Sequence, residues 1–462
     1  MLLCGACSTE ERKFLLIIGD FCRVFIAVER EIMTCINQMK QNHSGLMAKE
    51  KFTSFREVPN TGVIYVMSEA QKRGFAYGNQ DWCNLGQGAP ETACIDAQPK
   101  RLESIAIDEH SSEYSNVAGH WELREAVANL YNTRFRRGMK SQYSAENVAI
   151  SSGGRQGLTR IAASMGNINL GHFLPDYTAY EELLDLFRSF VPIPIVLDPN
   201  EGFLLTADRV GDEIVGKGLG AIILSNPANP TGRNVRGETL QQICYYGHKY
   251  QCALIFDEFY SHYQLGREDF SLSSAAMYIE EIEKTPVLVV DGLTKNWRYP
   301  GLRISWTLGP KEIIQKISSS GSFLDGGAPH PVQKAIVPLL DVEHANQEAR
   351  SIQAAFNYKR DFMIKRLNEM GISMPYAPEG GFYFFPSLVK LPESINNGRK
   401  LFEKLLEQKV ISVPGSFFDV DPGHRREHIP SRLEHYIRLS FGPPMRELEL
   451  GLQRLQSVID QA

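Results

Sequence analysis

Val287-Leu-Val-Val-Asp-Gly-Leu-Thr-Lys-Asn-Trp-Arg-Tyr-Pro-Gly-Leu-Arg-Ile-Ser-Trp306 is the stretch on which the reading of the fold turns. It opens as a β-branched apolar run, the pattern of a short buried strand. It then delivers one lysine, Lys295, into a loop that holds Gly292, Pro300 and Gly301, and Arg303 follows on the far side. A lysine just past a buried strand can sit at the edge of a desolvated pocket. Desolvation lowers an amine's pKa, and the neutral amine is a nucleophile toward carbonyls. Schiff-base formation with an aldehyde is the chemistry such an amine suits. On this stretch alone, a surface lysine beside a loop competes evenly with that reading.

Other strand ends change the balance. Ala221-Ile-Ile-Leu-Ser-Asn-Pro-Ala-Asn-Pro-Thr-Gly-Arg233 closes a buried strand with two Asn-Pro steps. These force an extended, rigid loop in which either proline bond can be cis. Asn226 and Asn229 are thereby held at the sheet edge where ligands bind in open α/β folds. Ala253-Leu-Ile-Phe-Asp-Glu-Phe-Tyr-Ser-His-Tyr263 ends another strand in Asp257 and Glu258, with Tyr260 one helical turn beyond Asp257. A carboxylate buried there is costly unless paired, and a protonated pyridine nitrogen is a suitable partner. A helix N-cap is the structural alternative. Val148-Ala-Ile-Ser-Ser-Gly-Gly-Arg-Gln-Gly-Leu reads as strand, glycine turn and helix start, where free N–H groups and the helix dipole favour an anion. It is neither a Walker loop nor G-x-G-x-x-G. In Phe173-Leu-Pro-Asp-Tyr-Thr-Ala-Tyr-Glu, Tyr177 can stack on a planar ring or pack in the core.

Toward the N-terminus, Gly62-Val-Ile-Tyr-Val-Met reads as an extended segment leading into a short helix, Ser68 to Arg73. Asn84-Leu-Gly-Gln-Gly-Ala-Pro90 marks a tight backbone path, with Gly88 leaving room for a ligand. Tyr114 lies in a loop from which a hydroxyl can reach a phosphate, and Trp121, Leu123, Val127 and Leu130 give an amphipathic helix after it. Toward the C-terminus, Ile313 to Ser318 and Ala345 to Gly371 read as helices. Pro378 to Pro386 reads as a strand with aromatic faces, and Lys409-Val-Ile-Ser-Val-Pro-Gly as a strand entering a turn. His435-Tyr-Ile-Arg-Leu-Ser-Phe-Gly is a further strand carrying Arg438. An arginine inside an apolar strand needs a partner. A substrate carboxylate held by a bidentate fork serves, and a structural ion pair is the alternative.

The composition is that of a globular chain: 462 residues, 43% hydrophobic, 22% charged. A net charge of -5 gives no case for nucleic-acid binding. Cys4, Cys7, Cys22, Cys35, Cys83, Cys94, Cys244 and Cys252 form no disulfide framework, which fits a cytoplasmic protein. Cys4 and Cys7 make a lone C-x-x-C, weak evidence for a metal, and no metal site is expected. The apolar run Phe14–Val28 is broken by Asp20 and Arg23 and is too short to span a membrane. Residues 1–49 read as an N-terminal extension, disordered or an artefact of start-site choice, with Met39 and Met47 as alternative starts; a targeting peptide is the runner-up.

If the Ser/Gly turn, Asn229, Asp257 and Lys295 converge, they make a phosphate cup, a hydrogen-bonding wall, a buried carboxylate and an amine. That set matches pyridoxal 5'-phosphate (PLP) group by group. From about Thr61 onward the chain resembles the class I/II aminotransferases, fold-type-I PLP enzymes of the aspartate aminotransferase superfamily. The likeness rests on Asn226–Gly232 (Asn-Pro-x-Asn-Pro-Thr-Gly), Asp257–Tyr260 (Asp-Glu-x-Tyr), Thr294-Lys295 with Gly301 and Arg303, and Arg438 in Tyr-Ile-Arg-Leu-Ser-Phe. It implies an α/β fold: a large domain with a mostly parallel sheet flanked by helices, residues 98–335, and a smaller α+β domain from 336–462 with the arm 50–97. It also implies roles. Lys295 bonds PLP and moves the substrate's proton. Asp257 pairs with the pyridine nitrogen. Asn229 and Tyr260 bond the ring oxygen, and Tyr177 stacks on the ring. Gly154, Arg155 and Arg303 hold the phosphate, Tyr114 reaches a phosphate in the second subunit of a homodimer, Arg438 takes the α-carboxylate, and Gly88 lines the substrate side. Where the family often has a phosphate-binding serine, three residues before the lysine, this chain has Gly292; Thr294, or Arg303 with the amides, then serves instead. His120 is not a catalytic residue across the family; it either faces the substrate or is a satisfied helix-start histidine, the second being the preferred reading.

The expected reaction moves an amino group between an L-amino acid and a 2-oxo acid by a ping-pong Schiff-base route. A PLP-dependent lyase, cyclase or amino-acid oxidase shares every residue named. A PLP-binding regulator fused to a DNA reader needs a winged-helix module, for which the extension is too short.

Overall fold

The computed structural model describes Ser54, Val58 and residues 62–462 other than Ser373. The expectations for Cys4 and Cys7, for Phe14–Val28 and for the extension as a whole lie outside the described residues. From Gly62 onward the described residues belong to one compact unit.

Twelve strands are described: β1 Cys83–Asn84, β2 Val148–Ser151, β3 Asn169–Leu174, β4 Val191–Val196, β5 Leu219–Ser225, β6 Ala253–Asp257, β7 Val287–Gly292, β8 Ser305–Leu308, β9 Tyr383–Phe384, β10 Val410–Ile411, β11 Val413–Pro414 and β12 Ile437–Ser440. Seven form one sheet in the order β2-β8-β7-β6-β5-β3-β4. From β4 to β7 every neighbour is parallel. β8 runs antiparallel to both β7 and β2, so β2 points the same way as β7. The C-terminal ends of β2, β3, β5, β6 and β7 therefore share one edge.

The central strands are apolar without alternation because both faces are covered. Ile223 and Ile255 pack into one core with Leu158 and Ile161, while Ile222, Leu224, Leu254 and Phe256 pack into another with Ile243 and Trp306. Helices Gly154–Ser164, Ala207–Lys217, Gly237–Tyr250 and Lys311–Leu324 connect or follow these strands. β4 carries Pro192 and Pro194, which an edge strand tolerates because half its N–H groups face no neighbour. Two smaller sheets lie outside this one: β1 pairs with β10, and β11-β12-β9 form an antiparallel ribbon.

Several local readings are corrected. Gly62–Lys72 is one helix, not an extended segment before a short one. Val66 and Ala70 stand four residues apart on its buried face, in a cluster with Phe402, Leu406 and Ile411. That burial overrides the strand preference of Val-Ile-Tyr-Val. In helix Trp121–Phe135, Leu123, Val127 and Leu130 are buried, but Trp121 is 54% exposed. It precedes Leu123 by two positions and so lies off the inward face. The aromatic segment Pro378–Pro386 contributes only Tyr383 and Phe384 as strand. No helix begins at Asp257; the chain turns through Phe259–His262.

Candidate active site

Asn229, Asp257 and Lys295 lie at or just past the C-terminal ends of large-sheet strands β5, β6 and β7. β7 ends at Gly292, and Lys295 follows in a turn closed by Arg298 N–H donating to Lys295 O at 3.0 Å. Asn296 pins that turn. Its Nδ2 donates to Asp291 Oδ1 at 2.7 Å, to Ser261 Oγ at 2.9 Å and to Glu258 O at 3.1 Å. Two of those acceptors belong to the turn after β6, so the segments carrying Asp257 and Lys295 are tied together. Tyr263 Oη donates to Lys295 O at 3.0 Å. The Lys295 amine donates to Gly88 O. Burial, and then the cations Arg438, Arg155 and Arg303, lower its pKa to about 7, with Asp257 opposing.

Asp257 is 6% exposed and has no cationic side chain in ion-pair contact among the described residues. Tyr180 Oη donates to its Oδ2 at 2.9 Å, and Phe259 N–H lies 3.5 Å from Oδ1. Burial raises its pKa to about 6 against those bonds and the charge of Lys295. The carboxylate is thus desolvated and free to pair with a protonated nitrogen. The N-cap alternative does not hold.

The glycine turn follows β2. Gly153 has φ +89°, and helix Gly154–Ser164 starts directly after it. The first intrahelical bonds come from Gln156 and Gly157 to Gly153 O, so the Gly154 and Arg155 amides have no helical partner. A Cβ on Gly153 would lie 2.0 Å from Arg303 Nη2, and one on Gly154 would lie 2.6 Å from the Phe259 ring. Glycine here lets the guanidinium approach the backbone. Arg155 Nη2 donates to Tyr177 Oη at 3.2 Å. At Gly292 a Cβ would lie 2.6 Å from Ile304 O, so β8 leaves no room for a serine side chain. Thr294 is half-buried in the same turn.

On the other side, buried Arg438 leaves β12 and donates through Nη1 to Asn229 Oδ1 at 3.0 Å and through Nη2 to Gly86 O at 2.8 Å. Its Nε is buried without a partner, and no carboxylate among the described residues pairs with it. A structural ion pair is therefore not what holds this arginine. Asn226 does not face the site. It bonds Val235 N and O at 2.8 Å and so holds its own loop. The peptide bonds before Pro227 and Pro230 are both cis. Tyr260 Oη lies 2.9 Å from Tyr383 Oη.

Gly88, Asn229, Asp257, Tyr260, Lys295 and Arg438 are thus linked by direct contacts or shared neighbours, with Gly153, Gly154 and Arg303 beside one another. Tyr114 is not among them; it is 97% exposed. His120 stands at the N-cap position of helix Trp121–Phe135 without a side-chain capping bond, and its ring meets Glu122 at 3.0 Å. Tyr180, Asn296 and Tyr383 escape sequence reasoning. Their only signal is a polar tip on a residue that reads as core or as turn.

These residues fit PLP. The glycine cradle with Arg303 suits a phosphate, the lone buried carboxylate suits a pyridinium, and the amine of lowered pKa suits an aldehyde. The orphaned Arg438 Nε suits a carboxylate.

Known proteins agree. The profile of the family described as "Aminotransferase class I and II" matches residues 80–455. A probable aspartate/prephenate aminotransferase of Aquifex aeolicus is 26% identical over 77% of this chain and 86% of its own length. A probable N-acetyl-LL-diaminopimelate aminotransferase of Bacillus subtilis is 29% identical over 77% of this chain and 84% of its own. Among solved structures, an aspartate aminotransferase from Thermus thermophilus with maleate aligns at TM-score 0.70 and 22% identity, covering 87% of this chain and 100% of that one.

Proposed function

Because the chain belongs to the class I and II aminotransferases, and is a PLP-dependent enzyme of that family, we propose that it moves an amino group from an L-amino acid to a 2-oxo acid in two half-reactions served by the residues described above. The observation that carries the residue assignments is the meeting of Lys295 and Asp257 from neighbouring strands β7 and β6, tied by Asn296. PLP, when bound, supplies an aldehyde for amines and a ring that takes up the electron pair left by the departing α-proton.

The chain's own residues do the rest. Lys295, with a pKa near neutrality, has a large fraction of its amine unprotonated at neutral pH and can take a proton and give it back. Asp257 offers its negative charge to a ring nitrogen and keeps that nitrogen protonated, with Tyr180 orienting the carboxylate. The Gly154 and Arg155 amides and Arg303 receive the phosphate. Tyr177 flanks that side. Thr294 stands in the lysine turn, where a serine at residue 292 would not fit. Arg438 receives the substrate carboxylate while Asn229 and Gly86 O hold the guanidinium in place. Gly88 leaves space for the substrate.

We read the active enzyme as a homodimer, a reading supported by Tyr114, which is 97% exposed on its own chain, as a residue serving a second subunit would be. We further read residues 98–335 as the large domain and 50–97 with 336–462 as the small one, supported by the placement of all seven large-sheet strands between Val148 and Leu308. Cys83, Cys94, Cys244 and Cys252 are all free, which supports a reducing compartment and a cytoplasmic enzyme. No helix among the described residues is long and apolar enough to cross a membrane.

The test is spectral. Purified protein given PLP should show a visible absorbance band that a donor amino acid bleaches and an oxo acid restores. Lys295→Ala should abolish that cycle. Ammonia or peroxide without transferred nitrogen would assign the protein to the lyases or oxidases, and failure to take up PLP would defeat the reading.

A further inference from the structure

The Tyr383 hydroxyl occupies the junction of the site. It lies on β9, whose register sets Tyr383 opposite Ser440 on the strand that carries Arg438. Its ring is fully buried, and the Arg438 guanidinium stands 4.3 Å from the ring centroid. Its hydroxyl is 2.9 Å from Tyr260 Oη, the two rings meeting edge to face at 5.7 Å. A Cβ on Gly88 would come within 3.7 Å of that same hydroxyl. One oxygen thus touches the phenol on the ring side, faces the substrate side and belongs to a ring lying under the carboxylate-binding arginine.

We propose that Tyr383 is a positioning residue for Tyr260: its hydroxyl donates to the Tyr260 oxygen and so directs the Tyr260 proton into the pocket bordered by Lys295 and Asp257. The assignment rests on the aminotransferase reading given above. Two neutral phenols share one hydrogen bond, and either oxygen can donate in it. Burial raises the Tyr383 pKa to about 12, with Arg438 over its ring opposing the rise. Burial pushes Tyr260 well above the usual phenol value. Tyr260 has a single proton, so when that proton points into the pocket the one in the shared bond comes from Tyr383. A hydroxyl that accepts one bond becomes a stronger donor in the next. Tyr260 then presents a polarised O–H to the oxygen of a bound ring. A strong donor there draws that oxygen's negative charge away from the nitrogen joined to Lys295, and so lowers that nitrogen's affinity for a proton. Removing the Tyr383 hydroxyl weakens the donor, and the protonated form persists to higher pH.

Tyr383→Phe keeps the ring beneath Arg438 and deletes only the hydroxyl. With PLP bound, the pH midpoint of the visible absorbance band should rise by about half a pH unit. In a Tyr260→Phe background the same substitution should move the midpoint by less than roughly a third of that, because the group it acts through is gone. The cofactor-free Tyr383→Phe protein should melt only slightly below the wild type, because the buried Tyr260 hydroxyl loses its partner. An unmoved midpoint, or an equal shift in both backgrounds, would overturn the assignment, and a lowered melting temperature with an unmoved midpoint would mark Tyr383 as merely structural. Protein that takes up no PLP defeats the proposed function and this inference with it; uptake with an unmoved midpoint defeats the role of Tyr383 alone.

Discussion

Asp257→Asn should separate the stability of this protein from its chemistry. Burial lifts the Asp257 carboxyl from 3.8 to about 6, and the bonds from Tyr180 and Phe259 and the charge of Lys295 oppose that lift without cancelling it. The folded protein therefore holds a proton on this group more tightly than the unfolded chain does. Stability falls as pH rises through the interval between the two values and stays low above it. A lift of this size costs the cofactor-free protein about 3 kcal/mol at about pH 8 and roughly half of that at about pH 5. Asparagine removes the charge. It keeps one oxygen for Tyr180 or Phe259 and gives up the second acceptor, which takes back about 1 kcal/mol. The cofactor-free variant should then be more stable than wild type by about 2 kcal/mol at about pH 8, with the gain mostly gone at about pH 5. Urea unfolding of both proteins without PLP, at both pH values, measures this directly. Turnover moves the other way. An amide carries no charge to keep a ring nitrogen protonated, so kcat should drop on the order of 10³-fold. A variant less stable than wild type at the higher pH, or a gain that does not shrink on acidification, would refute the account of Asp257 as a desolvated, unpaired carboxylate.

Two further substitutions test other walls of the site. Arg438→Lys replaces a fork that holds Asn229 Oδ1 and Gly86 O by a single ammonium, and it should raise the KM for the amino donor by about 10- to 100-fold while changing kcat less; steady-state kinetics with one good donor decide it. Gly292→Ser would install the side chain that the family resemblance leads one to expect at this position, but its Cβ would lie 2.6 Å from Ile304 O. It should therefore destabilise the cofactor-free protein by about 1–3 kcal/mol and give no tighter PLP binding, as read by thermal melts and a PLP titration.

The large sheet is legible in the sequence because its strands are short apolar runs ended by Gly, Pro, Asn or Asp, and covered faces leave no other place for such runs. Where tertiary burial decides, local pattern misleads. Val63-Ile-Tyr-Val66 favours a strand on propensity alone, yet it coils because Val66 and Ala70 fill a cluster supplied from the far end of the chain, Phe402 and Ile411 among its members. Trp121 reads as core because it is large and apolar. Its position two residues before Leu123 puts it on the wrong side of the helix.

The same distinction runs through the site. Asp257, Lys295 and Arg438 stand out in the sequence because a charge beside a buried strand is costly, and the cost itself demands an explanation. Tyr180 and Tyr383 carry no such cost. An aromatic ring in a helix or a short strand already has a sufficient reason to be there, and what it contributes to the site is one hydroxyl whose partner lies 77 residues away in one case and 123 in the other. Asn296 is hidden for the opposite reason: next to Lys295 it reads as an ordinary turn residue, although its amide ties the ends of two strands. Gly292 completes the argument. Against the family pattern it looks like a lost phosphate ligand, but Ile304 O occupies the space a side chain would need. The glycine is a packing requirement between β7 and β8, and in the function proposed above a phosphate would be held by groups outside that strand pair, the amides of Gly154 and Arg155 and the guanidinium that Gly153 admits.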